Sequence, residues 1–232
     1  MASAGTSSIR TRRPSRVAAG QASATTTGEE RTFLQQYAAQ FQRLCQGSEH
    51  WMSALIRVKA VLLEASRAGK KIILAGNGGS AAIASHVAVD LTKNAGIRAV
   101  NFNEADLITC FANDYGYEHW LAKAIECYGE PGDVLIAVSS SGRSQNMLEA
   151  CHAARRRGFA SIVTLSGFSS ENPLRQLGDH NLWVESKAYN LVELTHLFWL
   201  LALVDLIIGR TEYSASPGSA VSSCSDPRRP SS

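Results

Sequence analysis

Two stretches carry apolar positions at helical spacing before any strand pattern begins. Glu30 to Gln46 places Phe33, Leu34, Tyr37, Phe41 and Leu44 along one stripe. Trp51 to Ala68 does the same with Leu55, Val58, Leu62 and Leu63, and Gly69 follows as a stop. Both read as amphipathic helices. The period then changes. Ile72, Ile73 and Leu74 form a continuous apolar run, as a parallel strand covered on both faces requires. Gly76, Asn77, Gly78 and Gly79 make a turn, and Ala81 to Asn94 is expected to be helical.

The alternation continues to the end of the pattern. Strands are expected at Arg98 to Asn103, Val134 to Val138, Ser161 to Leu165 and Asn181 to Glu185. Helices are expected around Ile108 to Phe111 and over Tyr117 to Tyr128, Gln145 to Arg157 and Leu191 to Ile208, with a helical turn at Asn172 to Leu177. Asn113-Asp114-Tyr115-Gly116 reads as a turn. Strands alternating with helices predict an α/β fold, a three-layer sandwich with a parallel sheet flanked by helices. Ligands in such sheets sit at the carboxyl ends of the strands, near a topological switch point.

Two turns at that edge carry the candidate chemistry. In the first, glycines let the backbone lie close to a ligand, and Ser80 is expected to cap the next helix. Unpaired amides and the positive helix end favour an anion there. The spacing is neither G-x-x-x-x-G-K-[ST] nor G-x-G-x-x-G, so no nucleotide cofactor is indicated. A plain strand-to-helix turn would also use these glycines. The second turn is Ser139-Ser140-Ser141-Gly142-Arg143-Ser144. Its hydroxyls and amides can wrap a phosphate monoester without a metal.

Composition narrows the classes. A net charge of +3, with much of the basic excess in the tails, gives no nucleic-acid patch. Cys45, Cys110, Cys127, Cys151 and Cys224 are scattered without a C-x-x-C pair. Neither a zinc finger nor a disulfide framework follows, and reduced thiols in a cytoplasm are the simpler reading. No apolar run reaches the length of a membrane span; Leu197 to Ile208 comes nearest and contains Asp205. Residues 1–28 hold Arg10, Arg12, Arg13 and Arg16 and no acid. They read as a disordered tail rather than a transit peptide, because Pro14 interrupts any amphipathic helix. Residues 29–210 then form the folded domain, and residues 211–232, rich in Ser, Pro and Arg, a second disordered tail.

The segments AGNGGSAAIASHVAVDL, FANDYGYE and GDVLIAVSSSGRSQN, followed by SIVTLSG, resemble the sugar isomerase (SIS) domain, and within it the phosphoheptose isomerase branch. The resemblance spans roughly Gln35 to Gly209 and implies a flavodoxin-like sheet topology. It implies a homotetramer with sites at subunit interfaces. It implies that Ser139, Ser140, Ser141 and Ser144 hold a substrate phosphate and that Asn77, Gly78, Gly79, Ser80, Asn113 and Asp114 contact the sugar.

Aldose–ketose isomerisation moves a proton between neighbouring carbons and needs a base and an acid or metal. The resemblance implies a glutamate base on the helix after the glycine turn and a histidine on the last helix. Here those positions hold Asp90 and Leu201, and His196 is the histidine on the last helix. Glu193 stands where the family has a glutamine. His86 and Asp90, four apart on a helix, share a face and are candidates with Glu193 for one divalent metal such as zinc; a plain helical ion pair is the competing reading. Asp90, Glu193 and His196 are the candidate catalytic groups. His119, His152 and His180 read as surface residues, and Tyr189 and Trp199 as core or interface aromatics. Two functions follow: a cytoplasmic sugar-phosphate isomerase acting on sedoheptulose 7-phosphate, or an SIS module that binds a phosphosugar or partner protein without chemistry.

Overall fold

The structure, a computed structural model, describes residues 24–46 and 48–213. It resolves into two units, residues 1–39 and 40–232. In the first lies most of α1 (Ala24–Cys45), which begins inside the stretch expected to be a tail. Its Phe33 and Tyr37 rings face each other at 6.3 Å, and both Phe33 and Leu34 are exposed. The basic residues Arg10 to Arg16 and most of the C-terminal tail lie outside the described residues.

The second unit follows the expected alternation. In order come α2 (Glu49–Arg67), β1 (Ile72–Gly76), α3 (Gly79–Lys93), β2 (Ala99–Val100), α4 (Ala105–Tyr115), α5 (Trp120–Tyr128), β3 (Val134–Ser139), α6 (Gln145–Arg156), β4 (Ser161–Ser166), α7 (Pro173–Leu177), β5 (His180–Trp183) and α8 (Tyr189–Ile208). All four strand pairings are parallel, in the order β2-β1-β3-β4-β5. This is the flavodoxin-like order, with its switch point between β1 and β3.

Alternation along each strand divides the core in two. Ile72, Leu74, Val134, Ile136 and Val138 point toward α2, α3 and α8. Ile73, Ala75, Leu135 and Ala137 point toward α5 and α6. Every residue of β1, β3 and β4 is buried, which accounts for the unbroken apolar runs of β1 and β3; in β4 the buried Thr164 interrupts the run and its hydroxyl bonds to Asn181. At the opposite edge from the two turns, Asp133 is fully buried; it accepts from the backbone N–H groups of Lys71 and Glu130 and pairs with Lys71 Nζ at 2.7 Å.

Three local expectations change. The strand expected over Arg98 to Asn103 pairs only at Ala99 and Val100, because it is an edge strand with one neighbour. Asn113, Asp114 and Tyr115 form the last turn of α4 rather than a separate turn, and Gly116, at φ 87°, ends it. Ser80 does not cap α3. Gly78 is the N-cap, at φ 54°, and Ser80 is buried in the first helical turn.

α8 is long and apolar enough, by length and composition, to cross a membrane. Here it packs on the sheet through Leu191, Val192, Trp199, Leu200, Leu203 and Val204.

Candidate functional site

The parallel register sets Gly76 opposite Val138 and Ser139 opposite Ser166. The chain therefore leaves β1, β3 and β4 at nearly one level. α3 departs on one face of the sheet and α6 on the other, so both helix N-termini border the crevice at the switch point. A β-carbon on Gly76 would lie 2.5 Å from the Ser80 carbonyl carbon. Only glycine allows α3 to start that close to the strand.

The two turns are tied by a reciprocal amide pair. Asn77 Nδ2 donates to Asn146 Oδ1, and Asn146 Nδ2 donates back to Asn77 Oδ1, each at 2.9 Å. Tyr117 Oη donates to the same Asn77 Oδ1 at 3.2 Å. Neither Asn146 nor Tyr117 was expected at the site. A signal for Asn146 existed: it is a polar residue in the buried stripe it shares with Met147, Ala150 and Ala154. Tyr117, exposed beyond the end of α4, carried none.

In the serine turn, Ser139 and Ser140 are buried and Ser141 and Ser144 half-buried. Ser139 Oγ donates to Ser144 Oγ at 3.4 Å, and Ser140 Oγ has no partner although it is buried. An unpaired buried hydroxyl costs about 1–3 kcal/mol, so this one calls for a ligand or water. Gly142, at φ 64°, could not carry a side chain: its β-carbon would collide with the Asn172 amide. Asn172 is fully buried, donates to Ser166 Oγ at 3.0 Å and Ser169 O at 2.8 Å, and accepts from Arg175 N at 3.0 Å. It is the post on which the serine turn rests.

The acids and histidines do not converge within one chain. Glu193 reaches the first turn, where its carboxylate lies against Gly79. It makes no ion pair among the described residues. His86 Nε2 and Asp90 Oδ2 meet at 3.2 Å, and Asn94 Nδ2 donates to Asp90 Oδ1 at 3.0 Å. This pair sits well down α3; eleven residues of helix put Asp90 about 16 Å along the axis from Gly79. Among the described residues no three His, Cys, Asp or Glu side chains form a metal-binding group. The set His86, Asp90 and Glu193 thus does not fit a metal within a single chain.

His196 is also displaced from the expected role. It is fully buried, and its Nε2 donates to Ser166 O at 3.2 Å while Nδ1 lacks a partner. Desolvation pushes its pKa down to about 4, against a smaller upward effect of the Ser166 carbonyl. The ring is neutral at pH 7 and cut off from the crevice solvent, so it is a core histidine rather than the acid. Leu201 lies half-buried on an apolar cleft of about 590 Å³ with Phe198, Ala202 and Leu206. Asn113 and Asp114 are exposed on α4, where Asn113 Nδ2 donates to Asp114 Oδ1 at 2.9 Å; neither bonds to the two turns.

A parallel sheet in this order, with two glycine- and serine-bearing turns at its switch point, defines an α/β domain whose crevice suits an anionic ligand. The SIS domain model matches residues 36–166, and the chain belongs to that family. Among its relatives, a Bradyrhizobium phosphoheptose isomerase is 36% identical over 149 residues, covering 61% of this chain and 73% of its own. An Enterobacter phosphoheptose isomerase is 38% identical over 119 residues, and the chain spans 62% of its length. The structure of phosphoheptose isomerase from Neisseria gonorrhoeae superposes with a TM-score of 0.71 at 29% identity, over 77% of this chain and 98% of that one.

Proposed function

We propose that this chain is a phosphosugar isomerase that interconverts sedoheptulose 7-phosphate and an aldose heptose 7-phosphate. One observation carries the reading: the serine turn and the glycine turn meet at the switch point through the Asn77–Asn146 pair, with the Glu193 carboxylate over Gly79. The serine turn supplies donors for a phosphate, and the unpaired Ser140 hydroxyl is one of them. The glycine turn leaves the first amides of α3 uncapped by any side chain. The sugar then extends past Asn77 toward Glu193. Glu193 is the carboxylate this chain itself brings to that sugar, so it is the base that takes the proton next to the carbonyl. The relatives named phosphoheptose isomerase support the choice of substrate.

Asp90 enters this reading through a second copy of the chain. Exposed Ile56, Val89 and Leu206 lie on α2, α3 and α8, the helices that cover one face of the sheet, and they support a homo-oligomer, which we propose is a tetramer. The free thiols Cys45, Cys110, Cys127 and Cys151 support a cytoplasmic location. The competing reading, a phosphosugar-binding module without chemistry, is favoured by Leu201 in place of a histidine and by the buried His196. Calorimetric titration with sedoheptulose 7-phosphate and with inorganic phosphate tests the substrate class; tighter binding of the sugar phosphate is expected, and equal binding contradicts it.

A further inference from the structure

Tyr117 is 55% exposed, yet its hydroxyl is spent on the edge of the crevice. It follows Gly116, whose φ of 87° breaks the helix and turns the chain back toward the glycine turn. Asn77 Oδ1 has two lone pairs and accepts twice, from Asn146 and from Tyr117. Asn77 Nδ2 has two N–H groups and gives one to Asn146. One N–H therefore remains, and Asn77 can meet a ligand only as a donor. The Tyr117 hydroxyl directs its hydrogen at Asn77 Oδ1 and keeps its lone pairs free, so it meets a ligand as an acceptor. Asn146 is 2% exposed and locks the amide in this orientation.

The crevice edge thus offers one donor and one acceptor side by side. A sugar hydroxyl, which donates once and accepts, satisfies both. The dianion of a phosphate monoester accepts only and gains nothing from Tyr117, whereas each sugar hydroxyl can donate to it. We infer that Tyr117 is a substrate-contacting residue that accepts a hydrogen bond from a sugar hydroxyl and so distinguishes a polyhydroxylated phosphate ester from a phosphate ester without hydroxyls. This rests on the sugar-phosphate reading of the site and adds to it the residue that recognises the hydroxylated part.

The test is Tyr117→Phe in the full chain, with affinities for sedoheptulose 7-phosphate and for methyl phosphate, whose dianion has no O–H, measured by calorimetry and the melting temperature measured in parallel. The variant should bind the sugar phosphate about fivefold more weakly, the scale of one neutral hydrogen bond. Its methyl phosphate affinity should match the parent, and its melting temperature should fall by no more than the few degrees that loss of the Tyr117–Asn77 hydrogen bond brings. If the parent prefers the sugar phosphate and Tyr117→Phe keeps that preference in full, the inference fails while the sugar-phosphate reading stands. If both ligands weaken together, Tyr117 acts through the shape of the turn, and the inference fails again. If the parent itself shows no preference for the sugar phosphate, the reading of the site falls and Tyr117's role with it.

Discussion

The carboxylate of Glu193 lies directly on Gly79, so that a β-carbon at position 79 would collide with it. An acid from the last helix thereby stands over the first turn of α3, where backbone N–H groups begin a helix and the local field favours negative charge. Glycine is needed at position 79 for the approach, and a long side chain at 193 to make it. Asp90 has no such contact. It is held by His86 and Asn94 on its own helix.

The different settings of the two acids give separate outcomes on mutation. Glu193→Gln keeps the shape of the side chain and removes the base. Turnover of sedoheptulose 7-phosphate should fall by at least about a hundredfold, the low end of general-base contributions, with the sugar phosphate still bound. Asp90→Asn should lose turnover as well, because a second copy of the chain brings Asp90 to the site, and normal turnover would remove Asp90 from it. Steady-state kinetics together with calorimetry checks both. Normal turnover in Glu193→Gln would remove it as the base.

Replacing Ser139, Ser141 and Ser144 with alanine should weaken sugar-phosphate binding. Each lost hydrogen bond is worth about 0.5–1.5 kcal/mol, and more where the hydroxyl serves a charged oxygen. The triple variant should therefore bind at least tenfold more weakly by calorimetry. Unchanged affinity would show that the serine turn is not the anchor.

Stability should fall in mild acid because of His196. Its folded pKa, about 4, is below the ordinary 6.5 because the ring is buried. Between those values the unfolded chain binds the proton and the folded one does not. The stabilisation is present above pH 6.5 and is lost as the pH falls toward 4, on the order of 3 kcal/mol in all. Urea unfolding from pH 7 to pH 4.5 should show this loss, and His196→Gln should flatten the profile. Equal pH dependence in parent and variant would contradict the assignment.

The exposed apolar residues on α2, α3 and α8 predict self-association. Sedimentation at micromolar concentration should show a dimer or larger, and Val89→Asp should lower the mass. A monomer in the parent protein would contradict the oligomer.

Much of this architecture is visible in the pattern of the chain. The runs Ile72 to Leu74 and Val134 to Val138 are apolar throughout because both faces of β1 and β3 are covered. Gly76 and Gly142 stand where the backbone needs them, which is why the two turns can be read before folding. Three-dimensional relationships are less legible. His196 looks like a partner for Glu193 by helical spacing, yet three residues of helix also turn it inward against Ser166. Asn146 and Tyr117 join Asn77 across sequence separations of 69 and 40 residues, which no local pattern records. His86 and Asp90 share a face as spacing requires. Their distance from Glu193 depends on where α8 crosses α3, which spacing within either helix does not give.

The most direct measurement is incubation of the purified full-length protein with sedoheptulose 7-phosphate, in chelator-treated buffer and with added zinc, followed by product analysis by NMR. The account predicts conversion to an aldose heptose 7-phosphate, with conversion lost in Glu193→Gln. Binding of the sugar phosphate without any product in either buffer would contradict it and establish the non-catalytic binding module instead.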